Sequence, residues 1–424
     1  MEIAQNGNDH EDFHKMSIFE KTSERNIVQE VSSGKVVIVP NWSDGDPVAL
    51  GEKVRSKVLC NLGTSSKSPD INIEIKKAQL AVESGASIIC DQSVGDNVWE
   101  NRKRLLDQVN VPIAAVPLYQ NVDEAKSAHK DPLAFSEDEV LEVFERQVEN
   151  GVAMPGFHSM SFEIIDQLEK SDRLMPIVSR GGGILHEWIK RHSKQNPYLK
   201  QFDRVLEVAR DHNVPITFVS SLRSGTVIDG LDKLQEYEWT MIGEYIKEAH
   251  SKKVSVIVDG LGHITIDKIP PAVNKFKELC YGVPLGVLGP AVTDRGLGHE
   301  HIVNAIGTSV AVWSGANYCN ACYRTEHLGL PEIKDIAEGI GAAVIATYSG
   351  DLAREEKNGL LLVEERKMSS ARKKNQWGIM LHNALDNKEA MKTFKRVGKK
   401  NVDGKGCSIC GDLCPFVITG QAKK

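Results

Sequence analysis

No apolar run in the 424 residues is long enough to cross a bilayer, and the first fifteen, MEIAQNGNDHEDFHK, are polar where a secretory signal is apolar. These absences predict a chain that works in the cytoplasm, away from membranes. An excess of charge of one sign is also missing. A formal net charge of −6, with 26% charged residues, leaves no basic footprint for nucleic acid. Cysteine is sparse: eight over this length are too few for a disulfide scaffold, which a reducing compartment would disfavour anyway. The sequence contains no G-x-G-x-x-G opening a helix after a strand, and no phosphate loop ending in Gly-Lys-Ser/Thr. That argues against a dinucleotide-binding sheet or a P-loop fold.

What is present is an alternation. Short apolar runs ending in polar or glycine residues alternate with amphipathic helical stretches. The strands read as KVLCNLG, SIICDQS, IAAVPLY, VAMPGFHS, PITFVSS, VSVIVDG, LGVLGPA and ANYCNAC. Helices between them include INIEIKKAQLAVES, SEDEVLEVFERQVEN, EYEWTMIGEYIKEAHSK and AVNKFKELC. Eight strands alternating with helices predict an α/β fold, a (β/α)8 barrel. Composition predicts disorder for the first ~15 residues, then a helix in IFEKTSERNIVQEVSSG and a strand in KVVIVP. The expected division is an N-terminal region over 1–56, the barrel over 57–331, a helical domain over 332–400 and a tail over 401–424.

Catalytic groups of such barrels lie at the C-terminal ends of strands. Asn61, Tyr119, His158, Arg223, Asp259 and His263 all sit there. The connection after the fourth strand contains IVSRGGG, with Ser179, Arg180 and Gly181 to Gly183. It reads as a phosphate site, since glycines admit an anion to the backbone and Arg180 adds a charged donor. A flexible surface loop is the equal alternative. His263 in DGLGHITI and His327 in RTEHLGLP are each, singly, buried hydrogen-bonded side chains by default. As a pair, with Asp259 and Glu326 nearby in sequence, they suggest a metal site. Asp294, His299 and His301 fall in VTDRGLGHEH, read as a loop packing against a ligand without direct chemistry.

Three cysteines, Cys407, Cys410 and Cys414, crowd into GKGCSICGDLCPFVITG. A closed metal site wants four ligands. Either a fourth comes from elsewhere, or one coordination position is open for chemistry. Cys60, Cys90 and Cys280 stand singly and read as small buried apolar groups. Cys319 and Cys322 have C-x-x-C spacing, but in the eighth predicted strand residues three apart face opposite ways, which favours packing over a redox pair.

NLGTS, IVSRGGG, GLGHI, VLGPAVTD, EHLGLP and CSICGDLC occur here in the order found in the radical S-adenosylmethionine (SAM) phosphomethylpyrimidine synthases of thiamin biosynthesis. From about Lys35 to Cys414 the chain resembles that family. The resemblance implies a (β/α)8 enzyme that rearranges 5-aminoimidazole ribotide with a [4Fe–4S] cluster and SAM. It implies homodimers with exchanged cluster tails and an electron donor such as flavodoxin or ferredoxin. By the same resemblance, Asn61, Tyr119, His158, Ser179, Arg180, Gly181, Gly182 and Arg223 contact the ribotide. His263 and His327 bind zinc or another divalent metal, and Cys407, Cys410 and Cys414 hold the cluster, whose fourth iron takes SAM. His158, Asp259 and Tyr119 are the candidates for moving protons.

The departures from the family pattern fall at positions expected to face substrate. Cys90 stands for a methionine, Ser220 for an aspartate, Asp259 for a glutamate and Gly286 for a tyrosine. Such a pattern resembles a paralogue with retained radical machinery and an altered outcome. It favours 5-hydroxybenzimidazole synthase, of anaerobic cobalamin lower-ligand synthesis, which releases formate from the same ribotide. On this reading Cys90, Ser220 and Asp259 join the substrate contacts. The alternatives are a divergent pyrimidine synthase and one half of a two-paralogue benzimidazole system. From other classes come a zinc-stabilised binding protein and a metal-dependent lyase or aldolase.

Overall fold

The computed structural model describes all residues but 8–9, 66, 69, 96, 356–358, 398–408 and 422–424. Its centre is a closed parallel barrel of eight strands in chain order. They are β3 (Lys57–Leu62), β4 (Ile88–Asp91), β5 (Ile113–Ala115), β6 (Met154–His158), β7 (Ile216–Val219), β8 (Val256–Gly260), β9 (Leu285–Leu288) and β10 (Tyr318–Asn320). Each matches one of the eight runs expected from the sequence. Two further strands, β1 (Val36–Val39) and β2 (Val48–Gly51), form an antiparallel ribbon.

Two apolar layers hold the barrel. Outside it, helix faces pack on the outward strand residues. Helix Glu137–Glu149 is typical: Ser136 and Glu139 form a reciprocal cap, and its Val140, Leu141, Phe144 and Val148 are buried. Phe157 of β6 stacks on Tyr198 at 5.0 Å and meets Phe218 of β7 edge-on at 4.9 Å. Inside, Leu59, Ile88, Cys90, Ala114, Met154, Ile257 and Tyr318 form one cluster that also takes in Val37, Val39 and Leu50 of the ribbon. The ribbon's connecting loop lies beside the strand starts, where Asn41 Nδ2 donates to Asn110 O at 2.9 Å. The ribbon therefore plugs the N-terminal end of the barrel and leaves the C-terminal end as the mouth.

The described residues at the start of the chain are mostly helical, where composition predicts disorder. Helices occupy Glu2–Gln5, Glu11–Phe19 and Glu24–Ser32. Phe13 and Met16, one helical turn apart, are 5% and 1% exposed against Ile27, Val31 and Val54. Each such burial contributes roughly 2 kcal/mol, enough to order a short polar segment. The single helix expected over IFEKTSERNIVQEVSSG is two, broken where Lys21 turns left-handed at φ 51°.

Contacts divide the chain into two compact units, Met1–Gly350 and Asp351–Lys424. The second contains helices Leu360–Lys373, Trp377–His382 and Asn387–Val397, with Trp377 against Phe394 at 5.3 Å. Among the described residues no helix is long and apolar enough to cross a membrane.

Candidate active site at the barrel mouth

Alternation along a strand sends every second side chain inward. Asn61, His158, Asp259 and Asn320 follow the interior residues Leu59, Met154, Ile257 and Tyr318 at even spacing, so they line the mouth. A chain of amides crosses it. Gln92 Nε2 donates to Asn61 Oδ1 at 2.8 Å, Asn61 Nδ2 to Asn320 Oδ1 at 3.2 Å, and Asn320 Nδ2 to Asp259 Oδ1 at 2.8 Å. The carboxylate can only accept, so it sets the orientation of every amide in the chain. Gln92 and Asn320 are absent from the sequence candidates. Alternation from Tyr318 through ANYCNAC was the available signal for Asn320, but the cysteines of that stretch mask it.

Burial and the two arginines set the electrostatics. Burial raises the Asp259 carboxyl to about 6, with Arg223 and the Asn320 hydrogen bond pulling the other way. His158 is driven down to about 3 by burial, then by the positive charges of Arg223 and Arg180. Among the described residues its Nδ1 has no hydrogen-bond partner. Burial also raises the Tyr119 hydroxyl, against Arg180 and Arg223. The Arg180 guanidinium lies over the Tyr119 ring at 5.0 Å. Cys90 is buried, and burial followed by Asp91 and Asp259 keeps its thiol protonated.

Only the first three residues of IVSRGGG are loop; the rest is helix. Arg180 opens helix Arg180–His192, and the Ser179 hydroxyl accepts from Gly182 N at 3.2 Å. Ser179, Gly181 and Gly182 are buried, which excludes the flexible-surface alternative. Three glycines argue against a helix by propensity. Packing explains Gly181, since a Cβ there would lie 2.3 Å from the His158 ring. The positive end of this helix, with Arg180 on its first turn, faces the mouth.

Ser220 is not at the mouth. Thr217 and Val219 of β7 point inward, so Ser220 points outward. It is fully buried, and its hydroxyl donates to Glu238 Oε2 on helix Lys233–Ser251. Glu238 also accepts from Ser159 Oγ, from Ser221 N at 2.6 Å and from Leu222 N at 3.2 Å. The assignment of Ser220 as a substrate contact is therefore corrected. The neighbouring turn does present Arg223, whose Nη1 donates to Ser220 O at 3.0 Å.

A cavity of about 710 Å³ continues from Arg223 past His263 and His327. The two imidazole centroids are 5.2 Å apart. His263 Nδ1 meets Asp294 Oδ1 at 2.7 Å, and His327 Nδ1 meets Glu300 Oε1. Asp294 is itself held by Thr226 Oγ1 at 2.7 Å and Val227 N at 3.1 Å. Asp294 thus does more than pack a loop: it orients an imidazole. Glu300, absent from the sequence candidates, does the same. Each carboxylate fixes the Nδ1–H tautomer and leaves Nε2 as a lone-pair donor, the arrangement of a metal-binding histidine. Cys319 is buried packing, as expected. Cys322 falls beyond β10, because the strand stops at Asn320, and lines this cavity.

In the second unit Cys407 lies outside the described residues. Cys410 and Cys414 are free thiols at the two ends of a single turn, Gly411–Leu413, in which Leu413 N donates to Cys410 O at 3.0 Å. Soft thiolates so spaced suit iron–sulfur ligation.

Among the described residues no three His, Cys, Asp or Glu groups enclose a metal ion. Two imidazoles cannot complete a coordination sphere, so any ion they bind keeps positions for a ligand. A parallel barrel with a polar mouth beside two carboxylate-oriented imidazoles has the layout of an enzyme, and the paired thiols of the second unit are of the kind that ligates iron–sulfur clusters. The model of the Radical SAM ThiC family matches residues 1–421, and the chain belongs to that family. Membership implies a [4Fe–4S] cluster and SAM. Phosphomethylpyrimidine synthase of Methanocaldococcus jannaschii is 36% identical over 428 residues, covering 100% of this chain and 99% of that one. The enzyme of the same name from Desulforamulus reducens is 35% identical over 401 residues, covering 93% and 91%. That of Thermoanaerobacter sp. is 36% identical over 408, covering 95% and 93%.

Proposed function

We propose that this enzyme acts on 5-aminoimidazole ribotide and forms the phosphomethylpyrimidine for which its relatives are named. The observation that carries the reading is the whole-chain family match, joined to a mouth that offers a helix N-terminus and Arg180 for a phosphate. Here Ser179–Gly182 and Arg180 take the phosphate, while Asn61, His158, Tyr119 and Arg223 hold the base and ribose. Asp259 moves the proton. His263 and His327 hold a divalent ion, zinc by their donor type. Cys407, Cys410 and Cys414 hold the cluster, which when bound supplies the electron that breaks a C–S bond of SAM. The barrel then orients the ribotide and excludes water around it. An electron carrier such as flavodoxin or ferredoxin, a homodimer with exchanged tails and a cytoplasmic setting complete the proposal.

The benzimidazole product, preferred on sequence alone, becomes the second reading. It rests on the departures from the family pattern, of which Gly286 is accommodated by the Tyr318 ring that occupies the space a Cβ there would take. The test is anaerobic reconstitution with iron and sulfide, incubation with ribotide, SAM and reductant, and mass spectrometry. A phosphorylated pyrimidine supports the first reading, 5-hydroxybenzimidazole the second, and neither product from an iron-loaded protein refutes both.

A further inference from the structure

Gly286 and Tyr318 are register partners on β9 and β10. A Cβ on Gly286 would lie 2.0 Å from Tyr318 Cζ and 2.3 Å from its hydroxyl oxygen. Glycine alone lets this ring lie over β9. The phenol is fully buried within the interior cluster, and among the described residues its hydroxyl has no hydrogen-bond partner. A buried hydroxyl left unpaired costs stability, and a second state in which it is paired would recover that cost.

The fold supplies the candidate partner. β9 separates β10 from β8, and β3 separates it from β4. Asp259 on β8 and Cys90 on β4 both act on the phenol. Gly286 is also the register partner of Asp259 on β8, and Cys90 shares the interior cluster with Tyr318, so the ring lies over β9 beside the strand that carries the carboxylate. Asn320 Nδ2 takes Asp259 Oδ1, which leaves Oδ2 for a second donor. The other titratable or charged groups on Asp259 are Arg223 after β7 and Cys90 on β4, with Cys319 of β10 acting from the outer face, where it meets Thr308. Arg223 can be drawn to a ligand, and both thiols are weak donors.

We propose that Tyr318 is a positioning residue of the reaction: when a ligand at the mouth engages Arg223, the Tyr318 hydroxyl donates to Asp259 Oδ2 from below and holds the carboxylate ionised and aimed. The inference rests on the mouth being the reaction site.

Two experiments test it. In the cofactor-free protein, Tyr318→Phe keeps the ring and melts at or above the parent. Gly286→Ala melts lower, and adding Tyr318→Leu to Gly286→Ala recovers part of the loss. A lower melting temperature for Tyr318→Phe overturns the unpaired hydroxyl, and no recovery overturns the ring placement. In the reconstituted enzyme, single-turnover formation of 5′-deoxyadenosine is followed against pH, at saturating and at limiting ribotide. Tyr318→Phe shifts the acid limb at saturating ribotide up by about one unit, roughly tenfold in rate on that limb, and leaves the limb at limiting ribotide in place. Identical limbs in parent and variant overturn the inference. A parent that makes no ribotide-dependent 5′-deoxyadenosine sinks the proposed function instead, and this assignment with it.

Discussion

The family resemblance sets an aspartate at the position of Ser220, which invites Ser220→Asp as a switch of product. The structure predicts a collapse of stability instead. Ser220 donates to Glu238, a fully buried carboxylate that burial raises even with donors from Ser159, Ser220, Ser221 and Leu222 around it. Aspartate removes one donor and sets a second carboxylate against the first. Two charges about 4 Å apart at an effective dielectric of about 20 repel by about 4 kcal/mol. The pair escapes that cost only by binding a proton, so the new carboxyl has a folded pKa above its unfolded value of about 3.9. Its penalty is small near pH 4, grows as pH rises through the folded pKa and is complete at pH 8. Urea unfolding of the cofactor-free protein at pH 5 and pH 8 measures it. The expected loss is about 3–5 kcal/mol at pH 8 and clearly less at pH 5. Ser220→Ala, which loses one donor, costs about 1–2 kcal/mol. A Ser220→Asp protein as stable as the parent at pH 8 would refute the outward placement, and altered product from it would return the residue to the mouth.

Gly181→Ala reverses an ordinary rule. Alanine in a helix normally gains about 1 kcal/mol over glycine, but here its Cβ meets the His158 ring. The variant should therefore melt lower and bind ribotide more weakly in a calorimetric titration; a higher melting temperature with unchanged affinity would contradict the packing. Asp259, raised from 3.8 to about 6, destabilises the fold once ionised. The penalty appears as pH rises from about 4 to 6 and reaches at most about 3 kcal/mol. Asp259→Asn should thus unfold like the parent at pH 4 and gain stability over it by pH 7; a gap that does not vary with pH would show that Asp259 is not strained. Asp294→Ala removes the acceptor that orients His263. Zinc affinity, read by competition with a chelator, should fall about 10–100-fold, and an unchanged affinity would exclude the two-histidine site.

The barrel is legible because parallel strands buried on both faces read as short apolar runs, and all eight do. The helix at Arg180 is not, because three glycines outweigh every local signal except a serine cap, and the reason for Gly181 lies in His158, 23 residues upstream. The positions listing Asn61, His158 and Asp259 follow from strand ends. Ser220 does not, since one residue past a strand end the inward or outward phase depends on where the strand stops. Gly286 likewise reads as a lost aromatic wall, while the replacing ring comes from the next strand, where Tyr318 resembles any core tyrosine. The pairing of His263 with Asp294 spans 31 residues and that of His327 with Glu300 spans 27. Both depend on loop paths that carry no periodicity.

His158, Asp259 and Tyr119 are equal candidates for proton transfer by residue type, and the mouth separates them. Burial penalises the charged form of any group. It lowers a base and raises an acid, so the same environment moves histidine and aspartate in opposite directions. His158, already near neutrality in water, is carried down to about 3, so at pH 7 only about one molecule in ten thousand is protonated. Tyr119 starts as a weak acid and is made weaker. Asp259 starts too strong and is brought to about 6, where it exchanges a proton at working pH with little penalty in either direction. Arg223 strengthens the distinction, since its charge opposes a second cation on His158 yet keeps Asp259 from rising further. The amide chain from Gln92 through Asn320 then fixes which Asp259 oxygen is already occupied. On the proposed function, a neutral His158, braced against Gly181, would orient the ligand and the carboxylate would carry the proton.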